Sequence, residues 1–100
     1  MSSATVRIHP AALREAEAAT EWYRRRSIRA AAMFLDEIDR AIERIAGHSE
    51  HSPEYPFGTS RVVLQRFPCL VVFRKTTADM EIIAVAHGRR RPVYWRDRVE

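Results

Sequence analysis

One hundred residues, 46% of them apolar and 30% charged, suffice for one folded domain with its own core and are too few for two. The formal net charge is +4 and unevenly spread: residues 1–56 carry eight basic and nine acidic side chains, residues 57–100 nine basic and four acidic. No apolar run nears the ~20 residues that cross a bilayer, and the opening MSSATVRIHP lacks the charged and apolar regions of a signal peptide, so a cytoplasmic protein with no membrane partner is expected.

In chain order, ATVRIHP alternates apolar and polar residues and stops at a proline, which predicts a strand over residues 4–9. Pro10 then suits the first turn of a helix, PAALREAEAATEWYRRRS, with Leu13, Ala16, Thr20 and Tyr23 on one face. Glu15, Glu17 and Glu21 precede Arg24, Arg25 and Arg26, which complements the helix dipole at both ends. Ser27 fits the N-cap of a second helix, along which Phe34 or Leu35, Ile38, Ile42 and Ile45 recur at helical spacing until Gly47 supplies a stop. The two helices form an antiparallel hairpin.

The stretch HSEHSPEYPFGTS reads as a loop. Three β-branched or aromatic runs follow, RVVLQRF from Arg61, CLVVFRK from Cys69 and MEIIAVAH from Met80, with Thr77, Ala78 and Asp79 turning between the last two. Strict alternation along the last run places Ile83, Val85 and His87 on one face and Ile82, Ala84 and Ala86 on the other. The expected fold is therefore α+β, ordered βααβββ, an antiparallel sheet packed against an N-terminal helical hairpin.

The lone cysteine, Cys69, forms no internal disulfide and reads as a small buried hydrophobe. His9, His48, His51 and His87 lack ligand spacing, so neither metal nor cofactor is expected. Sixteen of the seventeen cations are arginine, whose planar fork suits phosphate or carboxylate. The C-terminal half should therefore meet an anionic partner, nucleic acid or an acidic protein segment.

The phrase RFPCLVVFR followed by AVAHGRR, together with a helix beginning PAALREAEAATEWY and a second helix FLDEIDRAIERIAGHSEHSPEY, resembles the RelE/ParE superfamily. These are the growth-inhibiting toxins of bacterial type II toxin-antitoxin systems, also described as plasmid stabilisation proteins. The resemblance covers nearly the whole chain and implies a cognate antitoxin as tight partner. It also implies one of two targets: RelE-like members cut mRNA on the ribosome, and ParE-like members inhibit DNA gyrase without being nucleases.

Metal-free RNA cleavage needs a base, an acid and cations that stabilise the developing phosphorane charge. For a nuclease, the resemblance points to His87 for proton transfer, Arg90 for the scissile phosphate and Tyr94 for stacking or proton transfer. Arg61, Arg66, Arg74, Arg89, Arg91 and Trp95 would extend the target-binding surface. Each has a plainer reading: His87 closes a strand through a backbone hydrogen bond, Tyr94 and Trp95 form an amphipathic flap over the sheet, and Arg89 to Arg91 form a solvated turn. RelE-like nucleases usually carry an arginine in the middle strand where this chain reads PCLVVF, and often lysines near the preceding strand, which has none. A gyrase inhibitor needs only an exposed complementary surface, and the missing arginine tilts the reading toward it.

Overall fold

The computed structural model describes residues 4–99. Strand β1 (Val6–Ile8) leads into helices α1 (Pro10–Arg24) and α2 (Ile28–His48), and strands β2 (Glu54–Tyr55), β3 (Thr59–Val63), β4 (Cys69–Lys75) and β5 (Met80–His87) follow. All five strands share one sheet in the order β1-β5-β4-β3-β2, so the expected α+β arrangement of helical hairpin and sheet is present. The sheet is mixed rather than purely antiparallel, because β1 pairs with β5 in parallel through Val6↔Met80 and Ile8↔Ile82. Parallel neighbours need a long crossover connection, which the hairpin and the intervening strands supply.

Local chemistry explains the helix boundaries. Pro10 opens α1, and the His9 ring Nδ1 accepts the Ala11 N–H at 3.0 Å as its cap. Ser27 caps α2 as expected, its Oγ accepting the Ala30 N–H at 3.1 Å. Gly47 does not stop α2; the helix continues through His48 and tightens into a 3₁₀ turn at Ser49–His51. On α1 the buried side is Ala12, Ala16, Ala19, Thr20 and Tyr23, whereas Leu13 is half exposed.

The expected loop is partly a hairpin. β2 pairs with β3 through Tyr55↔Thr59, and the chain reverses at Phe57 and Gly58, with φ of 64° and 74°. Glycine occupies that left-handed region freely; phenylalanine is held there by its surroundings. β3 accordingly starts two residues before Arg61 and ends at Val63, where the chain bends back toward β4.

A β-bulge overturns the simple alternation along β5. Val72 faces Ala84 and Phe73 faces Ile82, leaving Ile83 unmatched. Ile82 and Val85 therefore share the helix-side core with Phe34, Ile45, Val71 and Phe73, while Ile83 and Ala84 join Val72 and Trp95 on the opposite side. The sheet is thus buried on both faces, by the helical hairpin on one and by the C-terminal tail on the other.

The bend after β3 is fastened by Glu37 of α2. Its Oε1 accepts the Gln65 N–H at 2.7 Å and its Oε2 the Arg66 N–H at 3.2 Å, and the side chain is almost fully buried. Glu37→Ala leaves two backbone donors without partners, so chemical denaturation should show a loss of about 2 kcal/mol.

Candidate functional site

β1 ends at Ile8, and beyond Ile82 no described strand lies beside the outer edge of β5. Side chains complete that edge. Glu15 of α1 accepts the Val85 N–H at 3.0 Å, and Arg98 of the tail donates to the Ile83 carbonyl at 3.0 Å. The two pair with each other through Nη1–Oε1 at 2.9 Å and Nη2–Oε2 at 3.0 Å. Tyr94 donates its hydroxyl to Glu15 Oε2 at 2.6 Å, and Arg90 Nη1 lies 4.0 Å from the same oxygen.

One carboxylate therefore anchors the strand edge, the tail and the arginine turn. Burial pushes the Glu15 pKa up, but the hydrogen bonds from Arg98, Tyr94 and Val85 outweigh it and hold the carboxyl below its ordinary value. Burial and the Glu15 bond push the Tyr94 phenol well above its ordinary range. That hydroxyl is a committed donor and is poorly suited to proton transfer near neutral pH.

The tail turns sharply to reach this position, with Val93 at a φ of 52°, an unusual conformation for a β-branched residue. The turn delivers Trp95 onto the sheet, where it is 1% exposed, stacks on Tyr55 at 5.9 Å between ring centroids and meets Phe57 edge-on at 6.4 Å. Arg61 sits 5.3 Å above Tyr55 and Arg96 4.6 Å above Phe57, extending the rings into a cation–aromatic ladder.

The residues singled out from the sequence divide into two groups. Trp95 is core, and Arg74 is bound to Glu81 at 3.1 Å and to the Val99 carbonyl at 3.0 Å; neither offers its functional group to a partner. His87 is exposed at the end of β5, where its Nδ1 accepts the Arg89 N–H at 3.1 Å and its carbonyl the Arg90 N–H at 3.0 Å. Arg90 stacks on Tyr94 at 3.9 Å. Arg61 keeps a buried Nε with no hydrogen-bond partner among the described residues.

Arg89 and Arg91, and the more distant Arg66, remain exposed, and their side chains make no ion pair or hydrogen bond among the described residues. Arg89 and Arg91 flank Arg90 on a turn pinned by Gly88, whose N–H donates to the Pro68 carbonyl at 2.7 Å. The surface open to a partner is thus a hydrogen-bonded turn with two free guanidiniums among the described residues, set beside a clamp that holds a third. Glu15 and Arg98, the centre of the clamp, carry no local motif; only the 83-residue separation closing in space reveals them.

No described helix is long and apolar enough to cross a membrane, and no group of three His, Cys, Asp or Glu among the described residues is placed to hold a metal ion.

Comparison with known proteins agrees with this architecture. The family model described as the ParE toxin of the type II toxin-antitoxin system, parDE, matches residues 6–92. No curated protein matches the chain significantly. Among solved structures, the chromosomal ParDE toxin-antitoxin system from P. aeruginosa is similar, with a TM-score of 0.71, covering 84% of this chain and 95% of that one. Its sequence identity is 16%, so the likeness speaks to the fold.

Proposed function

The chain belongs to the ParE toxin family of type II toxin-antitoxin systems, and from that premise we propose that the free protein arrests growth by gripping DNA gyrase through its arginine turn. The supporting observation is how the tail's functional groups are used. The Tyr94 hydroxyl is committed to Glu15 and the His87 Nδ1 to a backbone N–H, so these two groups do not stand as an acid–base pair across Arg90. Arg89 and Arg91 are exposed on a turn held by backbone hydrogen bonds at Gly88 and Arg90. Such an arrangement favours anion binding at an acidic protein or DNA-bearing surface over phosphodiester cleavage. A cognate antitoxin holds the toxin silent in this reading, and gyrase is the target it competes with.

The test is a supercoiling assay on purified gyrase, run alongside primer extension on messages from cells expressing the chain. Inhibition of supercoiling with intact messages is expected, and Arg89→Glu/Arg91→Glu should weaken the inhibition about tenfold or more while leaving thermal unfolding unchanged. Messages cut within codons, with gyrase unaffected, would replace this reading with the ribosome-dependent nuclease.

A further inference from the structure

Arg29 occupies the first turn of α2, where a cation opposes the helix dipole, and among the described residues its side chain makes no ion pair or hydrogen bond. Dipole complementarity explains the triplet Arg24 to Arg26 at the end of α1, but not Arg29. The fold places other arginines beside it. Tyr23, one residue before the triplet, packs on Phe34 at 5.2 Å and on Phe67 at 4.8 Å between ring centroids. Phe67 follows Arg66 in the bend between β3 and β4, and the next residue, Pro68, accepts the Gly88 N–H at 2.7 Å. The tip of the helical hairpin, the bend and the arginine turn therefore meet at one end of the fold, where β4 begins and β5 ends at the pair Cys69↔His87. Both arginine triplets of the sequence, with Arg29 and Arg66, lie at that end, and all of these arginines are exposed.

Carboxylates offset little of this charge. Residues 24–29, 64–68 and 87–92 contain none. Glu21 is shared between Arg24 at 2.7 Å and Arg25 at 3.6 Å, and pairs as exposed as these yield readily to a stronger anion. Glu15 is held in the clamp, and Glu37 is occupied by the backbone of Gln65 and Arg66. The rings at this end are engaged as well: Trp22 carries Arg26 at 3.5 Å, Tyr94 carries Arg90 at 3.9 Å, and Tyr23 meets Phe67 edge-on.

We propose that this end face binds duplex DNA through its phosphates, with Arg25 and Arg29 at the hairpin tip gripping the backbone alongside the arginine turn. The inference rests on the gyrase reading above and makes the DNA that gyrase handles a direct partner of the toxin. Duplex DNA presents one charge per about 1.7 Å of its axis, a density that an acidic protein patch does not match. Guanidiniums spread over three segments suit such a continuous polyanion, each phosphate adding a modest contact. A single strand binds by stacking its bases on open rings, and the rings here already have partners.

The experiment titrates a fluorescent DNA duplex of about 20 base pairs with the free protein and follows anisotropy from about 50 to 200 mM salt. Arg25→Gln/Arg29→Gln should bind about tenfold more weakly than wild type, with unchanged thermal unfolding, and its log–log salt dependence should be shallower by about two. Arg40→Gln/Arg44→Gln removes the same charge from the far part of α2 and should change affinity by about twofold or less. No binding by wild type at the lowest salt overturns the proposal, as does an equal loss in the two double variants, which would mean diffuse attraction. Tighter binding to a single strand of the same sequence overturns it in favour of an unpaired nucleic acid. The supercoiling assay on the same proteins separates this inference from its premise. Gyrase inhibited by a chain that does not bind the duplex leaves the gyrase reading standing and the DNA face refuted; duplex bound at the tip with gyrase unaffected does the reverse.

Discussion

Trp95→Ala is expected to cost about 3–5 kcal/mol, a large fraction of the whole stability of a domain of this size. The side chain is 1% exposed and packs with Val72, Ile83 and Ala84, so truncation empties the centre of the second core and leaves Tyr55 and Phe57 without their partner. Trp22, the other tryptophan, is 52% exposed on α1, and Trp22→Phe should change stability by about 0.5 kcal/mol or less. In that background fluorescence reports Trp95 alone: blue-shifted emission in the folded protein, and a red shift coincident with loss of helical circular dichroism on denaturation. If Trp95→Ala is too unstable to purify, Trp95→Phe keeps a ring in place and should lose about 1–2 kcal/mol. A stable Trp95→Ala protein with unchanged unfolding would mean that the tail does not cover the sheet.

Glu15→Gln is expected to lower stability by about 3 kcal/mol, or about 10–20 °C in Tm. Glu15 is the point where the Val85 N–H, the Tyr94 hydroxyl and both Arg98 nitrogens converge, and the Glu15 and Arg98 side chains are only 14% and 18% exposed. An amide keeps one acceptor but turns a donor toward the guanidinium and leaves it without a counter-charge.

The same pair sets a pH dependence. A carboxyl held below its ordinary value of 4.5 adds stability that is fully present above that value and is lost as pH falls through the lower folded-state pKa. Wild type should therefore lose stability below about pH 4.5 more steeply than Glu15→Gln. At the alkaline end the sign reverses. Tyr94 is held above its ordinary 10.0, so its contribution is present below that pH and fades above it. In Glu15→Gln the Tyr94 phenolate, followed by ultraviolet absorbance, should appear at lower pH than in wild type. Equal acid slopes and equal phenol titrations in the two proteins would show that the clamp is absent in solution.

Much of the architecture was legible in the sequence because it depends on neighbours along the chain. The Pro10 start and Ser27 cap, the two helical periods, the β-branched runs from Cys69 and Met80, and the turn at Thr77, Ala78 and Asp79 all follow from chemistry within a few residues. The flap was one of two readings open for Tyr94 and Trp95 in the sequence, and the burial of Trp95 against the sheet is what selects it over a target-binding role. Family membership was also legible, since the stretches RFPCLVVFR and AVAHGRR that carry the resemblance fall within the matched residues 6–92.

What tertiary structure alone decided concerns partners distant in the chain. Alternation along the last strand assigned the wrong faces because the bulge at Ile83 inserts a residue, and a bulge is set by the register of two strands rather than by either one. The parallel pairing of β1 with β5 likewise depends on where a crossover returns. The arginines looked equivalent as letters, yet they differ sharply in use. Arg74 and Arg98 are spent on Glu81, Glu15 and backbone carbonyls, Arg90 is shared with Tyr94 and Glu15, and Arg89 and Arg91 project outward. Composition fixes how many cations the chain carries, but a buried charge must find a counter-charge, and only the folded geometry determines which arginines are consumed by that requirement and which remain for a partner.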